Sequence, residues 1–272
     1  MKFDGYLFVS DMDETLLDSN HNISEENRAA IEYFIENGGR FTIATGRSVS
    51  AAGEHIEKFK TNAPAILYNG AKIYNFETGE TLFEKFIDDS RKSALRIMHE
   101  KYPFLGFEVY SGEVAYVYSK CRYTARLKER NYPAVYEMRD EIWDRPWIKA
   151  LMIGEKEVLD KYEPVYRQYD GGYAVRSGDR FFDIVADGIS KGKTLKKLAE
   201  TLGIAPEKVI AAGDNMNDID MLETAALGFA VENAEPSAKS AANAIAPSCD
   251  NSAIAWIVRY IEKSQRAERA RF

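Results

Sequence analysis

The sequence is poor in the residues that build redox centres and soft-metal sites. It contains two cysteines in 272 residues, Cys121 and Cys249, and their wide separation fits neither a disulfide framework nor a zinc-binding motif. The three histidines, His21, His55 and His99, lie near none of the motifs described below, and we interpret them as ordinary surface or helix residues. These scarcities argue against a mechanism that depends on a catalytic or metal-binding histidine.

Long apolar runs and an excess of basic residues are also missing. No apolar run has the length of a membrane span, and the N-terminus lacks the pattern of a signal peptide. The formal net charge is −7, so no general attraction to nucleic acids or anionic membranes is expected. We therefore predict a cytoplasmic protein without nucleic-acid or membrane partners, in which any phosphate group is bound by a local site.

Short apolar runs alternate with helical patterns at both ends of the chain. The runs at 6–9, 41–44, 65–68 and 209–212 do not alternate with polar residues, which is typical of parallel strands covered on both faces. A helix between the first two runs is predicted by Ser24 as N-cap and Gly38 as its end. Further helices are predicted at 191–202 and 218–226, so the pattern indicates an α/β fold with a parallel sheet.

The middle of the chain has a different pattern. Alternating aromatic stretches such as 113–118 are interrupted by helix-like segments at 90–100 and 155–169. This predicts an inserted α+β domain with its own sheet at 86–187. The two flanking parts, 1–85 and 188–272, are then predicted to form one core.

Polar residues follow the predicted strands of that core. Because ligands of an open parallel sheet bind beyond the carboxyl ends of its strands, residues at these positions should converge even when they are far apart in sequence. Four groups qualify: Asp11 with Asp13, the run Thr45-Gly46-Arg47, Lys191, and the stretch "GDNMND" from Gly213 to Asp218.

The carboxylates of this set indicate a cation site. Asp11, Asp13 and Asp214 would repel one another in a crevice and could not all stay ionised without a cation among them. Oxygen ligands without histidine or cysteine favour a hard cation, and we predict Mg²⁺.

The remaining groups indicate a phosphoryl ligand. Lys191, a threonine hydroxyl and the backbone N–H groups around Gly46 would supply positive charge and hydrogen-bond donors. Asp11 could then attack phosphorus as a nucleophile while Asp13 protonates the leaving oxygen. Water activated by Asp13 would cleave the resulting aspartyl-phosphate.

Four stretches together resemble a known family. "DMDETLL", "TIATGR", "SKGKTL" and "GDNMNDIDML" are similar, in order and spacing, to the four motifs of haloacid dehalogenase (HAD) superfamily phosphohydrolases. The large insertion and "YNGA" at 68–71 resemble the Cof-type branch with a C2 cap. The resemblance implies a Rossmann-like core, a mobile cap at 86–187 that sets specificity, and hydrolysis of a small phosphorylated metabolite such as a sugar phosphate, a nucleotide-related compound or pyridoxal phosphate.

The resemblance also implies a role for each matching residue. Lys193 competes with Lys191 for the lysine role, but "SKG" fits the third motif better than "GKT". The implied roles are Asp11 as nucleophile and metal ligand, Asp13 as acid/base whose backbone carbonyl reaches Mg²⁺, Thr45, Gly46, Lys191 and Asn217 as phosphate-binding residues, Asp214 as the remaining metal ligand, and Asp218 as an outer partner of metal or lysine.

One position departs from the family pattern. Many Cof-type members have glycine after the second aspartate, whereas this chain has Glu14, which does not easily adopt a positive φ. We therefore expect an altered geometry of this loop, with one more negative charge beside Asp13.

Three other functions use the same residues. A phosphomutase would return the phosphoryl group to its substrate, a dehalogenase would have no need of the acid at Asp13, and a metabolite-binding regulator would retain the fold without catalysis. The aromatic residues of the insertion could stack on a flat substrate ring, but we expect them to pack the sheet. They include Tyr110, Tyr116, Tyr118, Trp143 and Trp147.

Overall fold

The computed structural model describes residues 1–129, 132–136 and 140–269, with side chains described as far as residue 265. Residues 130, 131 and 137–139 of the predicted insertion and 270–272 of the predicted core lie outside the described residues. Within the described ranges, no helix combines the length and the apolar character needed to cross a membrane.

A five-stranded parallel sheet forms the centre of the core. The order of its strands is β14-β13-β12-β1-β2, so the first strand lies in the middle, next to a strand from the far end of the chain. Every residue of β1 and β12 is buried, which agrees with the non-alternating apolar pattern. The strands are β1 (Leu7–Ser10), β2 (Arg40–Ile43), β12 (Val209–Gly213), β13 (Leu227–Val231) and β14 (Ala244–Ala246).

Helices cover this sheet and begin and end where local chemistry predicts. The Ser24 side chain accepts a hydrogen bond from the Asn27 backbone N–H at 3.2 Å, and Gly38 has a φ of 95° after the helix, so both predicted boundaries of α1 are confirmed. The predicted helix 218–226 is in fact a 3₁₀ turn, Met216–Asp218, followed by α7. The helices are α1 (Glu25–Glu36), α2 (Val49–Ile56), α6 (Lys191–Thr201), α7 (Ile219–Thr224), α8 (Pro236–Ala241) and α9 (Ala253–Arg269).

The strand predicted at 65–68 forms but does not extend the parallel sheet. It is β3 (Ala65–Leu67), which pairs antiparallel with β4 (Lys72–Asn75), and β4 pairs with β5 (Glu80–Glu84). A single parallel bridge, Ala44 to Ile66, joins β3 to the central sheet. The chain reverses directly after β3, because residues 68–70 all have a positive φ. The expected parallel pairing of this strand is therefore confirmed only at this one bridge, and its ladder with β4 is antiparallel.

A six-stranded sheet occupies the middle of the chain. Its order is β10-β11-β9-β6-β7-β8, and all pairs except β7 with β8 are antiparallel. The predicted alternating strand and both predicted helices of this region are present as β7, α3 and α5. The elements are α3 (Asp89–Lys101), β6 (Gly106–Ser111), β7 (Val114–Ser119), α4 (Arg126–Glu129), β8 (Ala134–Val135), β9 (Lys149–Ile153), α5 (Lys156–Tyr166), β10 (Ala174–Arg176) and β11 (Phe181–Val185).

The six-stranded sheet has its own apolar core on one face, and its opposite face combines apolar residues with buried charged residues. One side packs Trp147, Phe182 and other apolar side chains against one another. On the other side, strand pairing aligns Glu108, Leu151 and Asp183 in one row across three strands. Residues aligned in this way lie on the same face of a sheet. The combination of a parallel α/β sheet with a separate, mainly antiparallel sheet confirms the predicted fold class.

Candidate active site

Asp11 lies at the carboxyl end of the central strand of the parallel sheet. Its backbone N–H donates to the Ala212 carbonyl at 2.9 Å, so the parallel pairing with β12 continues to this residue. Its side chain is almost buried, with 7% of its surface exposed, and one carboxylate oxygen lies 2.6 Å from Lys191 Nζ. Burial raises the pKa of Asp11 to about 7, although the charge of Lys191 acts in the opposite direction.

Lys191 lies behind Asp11 and is completely buried. Its Nζ also contacts Asp218 Oδ1 at 2.6 Å, so one ammonium group links two carboxylates. Lys193, the competing lysine, is exposed to solvent. Burial alone would lower the pKa of Lys191, but Asp11 and Asp218 raise it above its ordinary value, so the ammonium form is the stable one.

Asp218 is held by the backbone that follows β12. Its second oxygen accepts hydrogen bonds from the N–H groups of Asp214 at 3.1 Å and Asn215 at 3.0 Å. A Cβ atom on Gly213 would lie 2.5 Å from the Asp218 Cβ, so only glycine fits at this position. The stretch "GDNMND" therefore folds into a turn that directs Asp218 at Lys191.

Three carboxylates form a cluster that could hold a metal ion. Oxygen atoms of Asp11, Asp214 and Asp218 all lie within 4.8 Å of one another, and all three residues are buried. Burial and repulsion from Asp11 and Asp218 raise the pKa of Asp214 to about 9. Thr15 Oγ1 donates to Asp214 Oδ1 at 2.7 Å. Oxygen donors and uncompensated negative charge fit a hard divalent cation such as Mg²⁺.

The carboxylate of Asp13 is bound to Arg47 and is not a member of this cluster. Its carboxylate receives two hydrogen bonds from Arg47, at 2.8 Å from Nε and 2.5 Å from Nη2. Burial raises the pKa of Asp13, but the bonds and charge of Arg47 outweigh this and lower it below the ordinary value. His21 Nδ1 lies 3.5 Å from Asp13 Oδ1.

Two sequence-based expectations about the surroundings of Asp13 were wrong. Glu14 has a φ of 56°, so this glutamate does adopt the left-handed conformation that it was expected to avoid. A hydrogen bond from Asn233 Nδ2 to the Glu14 carbonyl, at 2.8 Å, helps to hold the backbone in this conformation. The histidines are also not all remote, because His21 and His55 line the same cavity as Asp13.

The predicted phosphate-binding residues converge on that cavity, which has a volume of about 530 Å³. Thr45, Gly46 and Asn217 line it together with Asp11, whereas Lys191 lies behind Asp11. Thr45 Oγ1 accepts the Arg47 backbone N–H at 3.2 Å, which leaves the hydroxyl proton available as a donor. Asn217 donates one amide hydrogen bond to Asn69 Oδ1 at 3.0 Å.

The six-stranded sheet supplies the opposite wall of the cavity. Tyr110, Lys149 and Leu151 project from two paired strands, and Arg126 lies beside them. Arg126 is held by two hydrogen bonds, at 2.6 and 2.8 Å, to the carboxylate of Glu108, which is fully buried. Tyr110 is one of the aromatic residues that were expected to pack the inserted sheet, and it also lines the cavity. Tyr110 was considered in the sequence analysis as a residue that could stack on a substrate. The other three wall residues belong to no sequence motif, so sequence reasoning did not find them.

Comparison with known proteins identifies the family. The family model for haloacid dehalogenase-like hydrolases matches residues 8–258. The chain belongs to this family. A haloacid dehalogenase-like hydrolase from Bacillus subtilis has the same fold, with a TM-score of 0.84 and 26% sequence identity over 93% of this chain and 99% of that one.

Curated relatives support a phosphatase. The 5-amino-6-(5-phospho-D-ribitylamino)uracil phosphatase of Bacillus subtilis is 27% identical over 257 residues, which is 93% of this chain and 94% of the relative. A sugar phosphatase of HAD subclass IIB shares the fold with a TM-score of 0.82 at 21% identity, covering 94% of this chain and 98% of that one. The family model and the curated relative confirm the predicted enzyme class, a phosphatase of the HAD superfamily.

Proposed function

We propose that the chain is a Mg²⁺-dependent phosphatase that hydrolyses a small phosphorylated metabolite through an aspartyl-phosphate formed on Asp11. The observation that carries this proposal is the buried contact between Asp11 and Lys191 at the edge of a cavity lined by Thr45, Gly46 and Asn217. The carboxylate is oriented by Lys191 on one oxygen, and its position beside the cavity makes it accessible to a phosphoryl group.

The proposed reaction has two steps. In the first, an oxygen of Asp11 attacks phosphorus, the bond from phosphorus to the leaving oxygen breaks, and Asp13 gives that oxygen a proton, for which Asp13 must first leave its ion pair with Arg47 and become protonated. In the second, Asp13 takes a proton from water as the water oxygen attacks phosphorus, and this releases inorganic phosphate and the Asp11 carboxylate. Thr45, Gly46 and Asn217 would donate hydrogen bonds to the phosphoryl oxygens in both steps.

Asp11, Asp214 and the backbone carbonyl of Asp13 would hold Mg²⁺, with Asp218 as an outer partner through Lys191. Bound there, the ion would offset the negative charge of the phosphoryl oxygens and of the neighbouring carboxylates. The oxygen-only donors and the raised pKa of Asp214 support this assignment.

Residues 86–187 are proposed to act as a cap over residues 1–85 and 188–272. A separate apolar cluster within residues 87–184 supports this division. The contact of Lys149 Nζ with the Gly46 carbonyl at 3.1 Å supports the seating, since it joins the six-stranded sheet to the predicted phosphate-binding loop. A seated cap would exclude water and contact the part of the substrate that is not phosphate. Tyr110, Leu127 and Phe181 give that part of the cavity apolar surface.

The proposal is tested by measuring phosphate release from a panel of phosphorylated metabolites with and without Mg²⁺. The panel should include sugar phosphates, nucleotides, pyridoxal phosphate and the ribitylaminouracil phosphate named for the Bacillus subtilis relative. We expect Mg²⁺-dependent release of inorganic phosphate from at least one class. An isomerised phosphate ester as the product would instead indicate a phosphomutase. If no compound is turned over, the protein is better explained as a metabolite-binding regulator that retains the fold.

Metal binding can be tested separately by replacing Asp214 with Asn. Mg²⁺ should raise the thermal unfolding temperature of the wild-type protein, by the equivalent of about 2.7 kcal/mol at a hundredfold excess over Kd. Asp214→Asn should lose most of this increase. Without metal, the variant should unfold at the same temperature as the wild type or higher, because one of three mutually repelling carboxylates is removed.

Asp4→Asn is the matched control, because Asp4 is an exposed carboxylate that precedes β1 and so lies at the opposite end of that strand. An equal Mg²⁺-induced shift in both variants would contradict the metal assignment.

A further inference from the structure

Asn69 is a buried residue of the "YNGA" stretch, to which the sequence analysis assigned no functional role, and it contacts several predicted phosphate-binding residues. Only 1% of its surface is exposed, and it does not line the cavity. Its Oδ1 accepts a hydrogen bond from Asn217 Nδ2 at 3.0 Å, and its Nδ2 donates to Asp183 Oδ1 at 3.0 Å. Asn69 therefore connects the last motif of the core to the six-stranded sheet.

The backbone of Asn69 is held against the second motif. Its N–H donates to the Thr45 carbonyl at 3.0 Å, and a Cβ atom on Gly46 would lie 3.1 Å from Asn69 Oδ1. Asn69 has a φ of 55° and follows Tyr68, which has a φ of 53°. Two consecutive non-glycine residues in the left-handed region are unfavourable, and such backbone persists where surrounding contacts impose it, often at functional sites.

The charge on Asp183 fixes the orientation of the whole chain of amides. An ionised carboxylate only accepts hydrogen bonds, so Asn69 must present its Nδ2 to Asp183 and its Oδ1 to Asn217. Asn217 must then present its own Nδ2 group, and the second hydrogen of that group remains available to a phosphoryl oxygen. Asp183 is ion-paired with Lys149 and accepts a hydrogen bond from Ser177, both in the six-stranded region.

We propose that Asn69 is a positioning residue through which Asp183 of the six-stranded sheet orients Asn217, so that the phosphate-binding groups are complete only when this sheet is seated on the core. Lys149 forms a second link, because its Nζ binds both Asp183 and the carbonyl of Gly46. This inference rests on the proposed function, since it assigns phosphate binding to Asn217.

The test exchanges the side chains of Asn69 and Asp183, first one at a time and then together. Binding of inorganic phosphate to each variant is measured by calorimetry in the presence of Mg²⁺. Asn69→Asp opposes two carboxylates and removes the donor to Asp183. We expect phosphate binding to weaken about tenfold or more, which is the scale of losing one hydrogen bond to a charged group. For an aryl phosphate, kcat/KM should fall by about 10²-fold, the scale of a small misplacement of a binding group.

The double variant Asn69→Asp/Asp183→Asn restores a donor opposite an acceptor, and it keeps one carboxylate and one amide at the two positions. Phosphate binding and kcat/KM should therefore recover most of the loss, whereas Asp183→Asn alone should be impaired. A contact that only stabilises the fold would make the two substitutions non-additive in unfolding temperature. Non-additivity in the phosphate affinity of the folded variants is the result that a purely structural role would not give.

Asn62→Ala is the control for general destabilisation. Asn62 binds two backbone groups near the start of β2, at 2.8 Å to the Phe41 N–H and 3.0 Å to the Gly39 carbonyl, far along the strand from the site. Its variant should bind phosphate as the wild type does. The inference is overturned if Asn69→Asp binds phosphate as well as Asn62→Ala, or if the double variant shows only the sum of the single losses. A wild type that binds phosphate without hydrolysing esters would refute the proposed function, while the binding data would still decide this inference.

Discussion

Replacing Asp11 with Asn is expected to abolish phosphatase activity while leaving the protein folded. The amide is not a nucleophile, and losses on the order of 10⁴-fold or more in kcat/KM accompany removal of a covalent nucleophile. Folding should survive because Lys191 keeps its contact with Asp218, at 2.6 Å, when the charge of Asp11 is removed. Turnover of p-nitrophenyl phosphate with Mg²⁺ and the thermal unfolding temperature, measured on the same preparation, check both parts.

The control for this substitution is Asp4→Asn, which makes the same replacement of a carboxylate by an amide at an exposed position. This variant should retain full activity. Activity of Asp11→Asn within about tenfold of the wild type would contradict the nucleophile assignment, since that loss equals only about 1.4 kcal/mol of transition-state stabilisation.

Replacing Lys191 with Ala is expected to have the second largest effect. Its ammonium group binds Asp11 and Asp218, each at 2.6 Å, and none of its surface is exposed. Removing it leaves two buried carboxylates unpaired, which costs about 3–5 kcal/mol when a buried ion pair is broken. It also removes a positive charge beside the attacking oxygen, for which losses of about 10²–10³-fold in kcat are typical.

Lys193→Ala provides the comparison within the same helix. Lys193 is exposed, and its backbone N–H donates to the N-cap hydroxyl of Ser190 at 3.2 Å. Within the described part of the chain, its side chain forms no hydrogen bond or ion pair. We therefore expect kcat/KM and unfolding temperature to match those of the wild type. Lys191→Met, which keeps the volume of the stem, separates loss of charge from loss of packing. If Lys193→Ala were the more impaired enzyme, the assignment of the lysine would be reversed.

The central sheet and the converging motif residues were predictable because both depend on local sequence. Non-alternating apolar runs indicate strands covered on both faces, and parallel strands bring the residues that follow them to one edge. Asp11 and Asp214 lie at the ends of adjacent strands for this reason. Ser24 and Gly38 likewise predicted the limits of α1, since capping depends on a few neighbouring residues.

The cavity wall was not predictable, because it depends on strand pairing between distant segments. Glu108, Leu151 and Asp183 share a row only through the register of three strands, and short alternating patterns do not specify which strands pair. His21 likewise reaches Asp13 through the path of a loop. Glu14 shows a further limit, because tertiary contacts impose a left-handed backbone that glutamate does not favour by itself.

The most direct test of the central claim is to trap the phosphoryl group on Asp11. In Asp13→Asn, p-nitrophenolate can leave without a proton, whereas water is no longer activated for the second step. Rapid mixing with p-nitrophenyl phosphate and Mg²⁺ should therefore give a burst of nitrophenolate equal to the enzyme concentration, and mass spectrometry should find one phosphoryl group on the peptide that contains Asp11. Nitrophenolate release without a burst and without a phosphorylated peptide, from a variant that still turns over, would contradict the account.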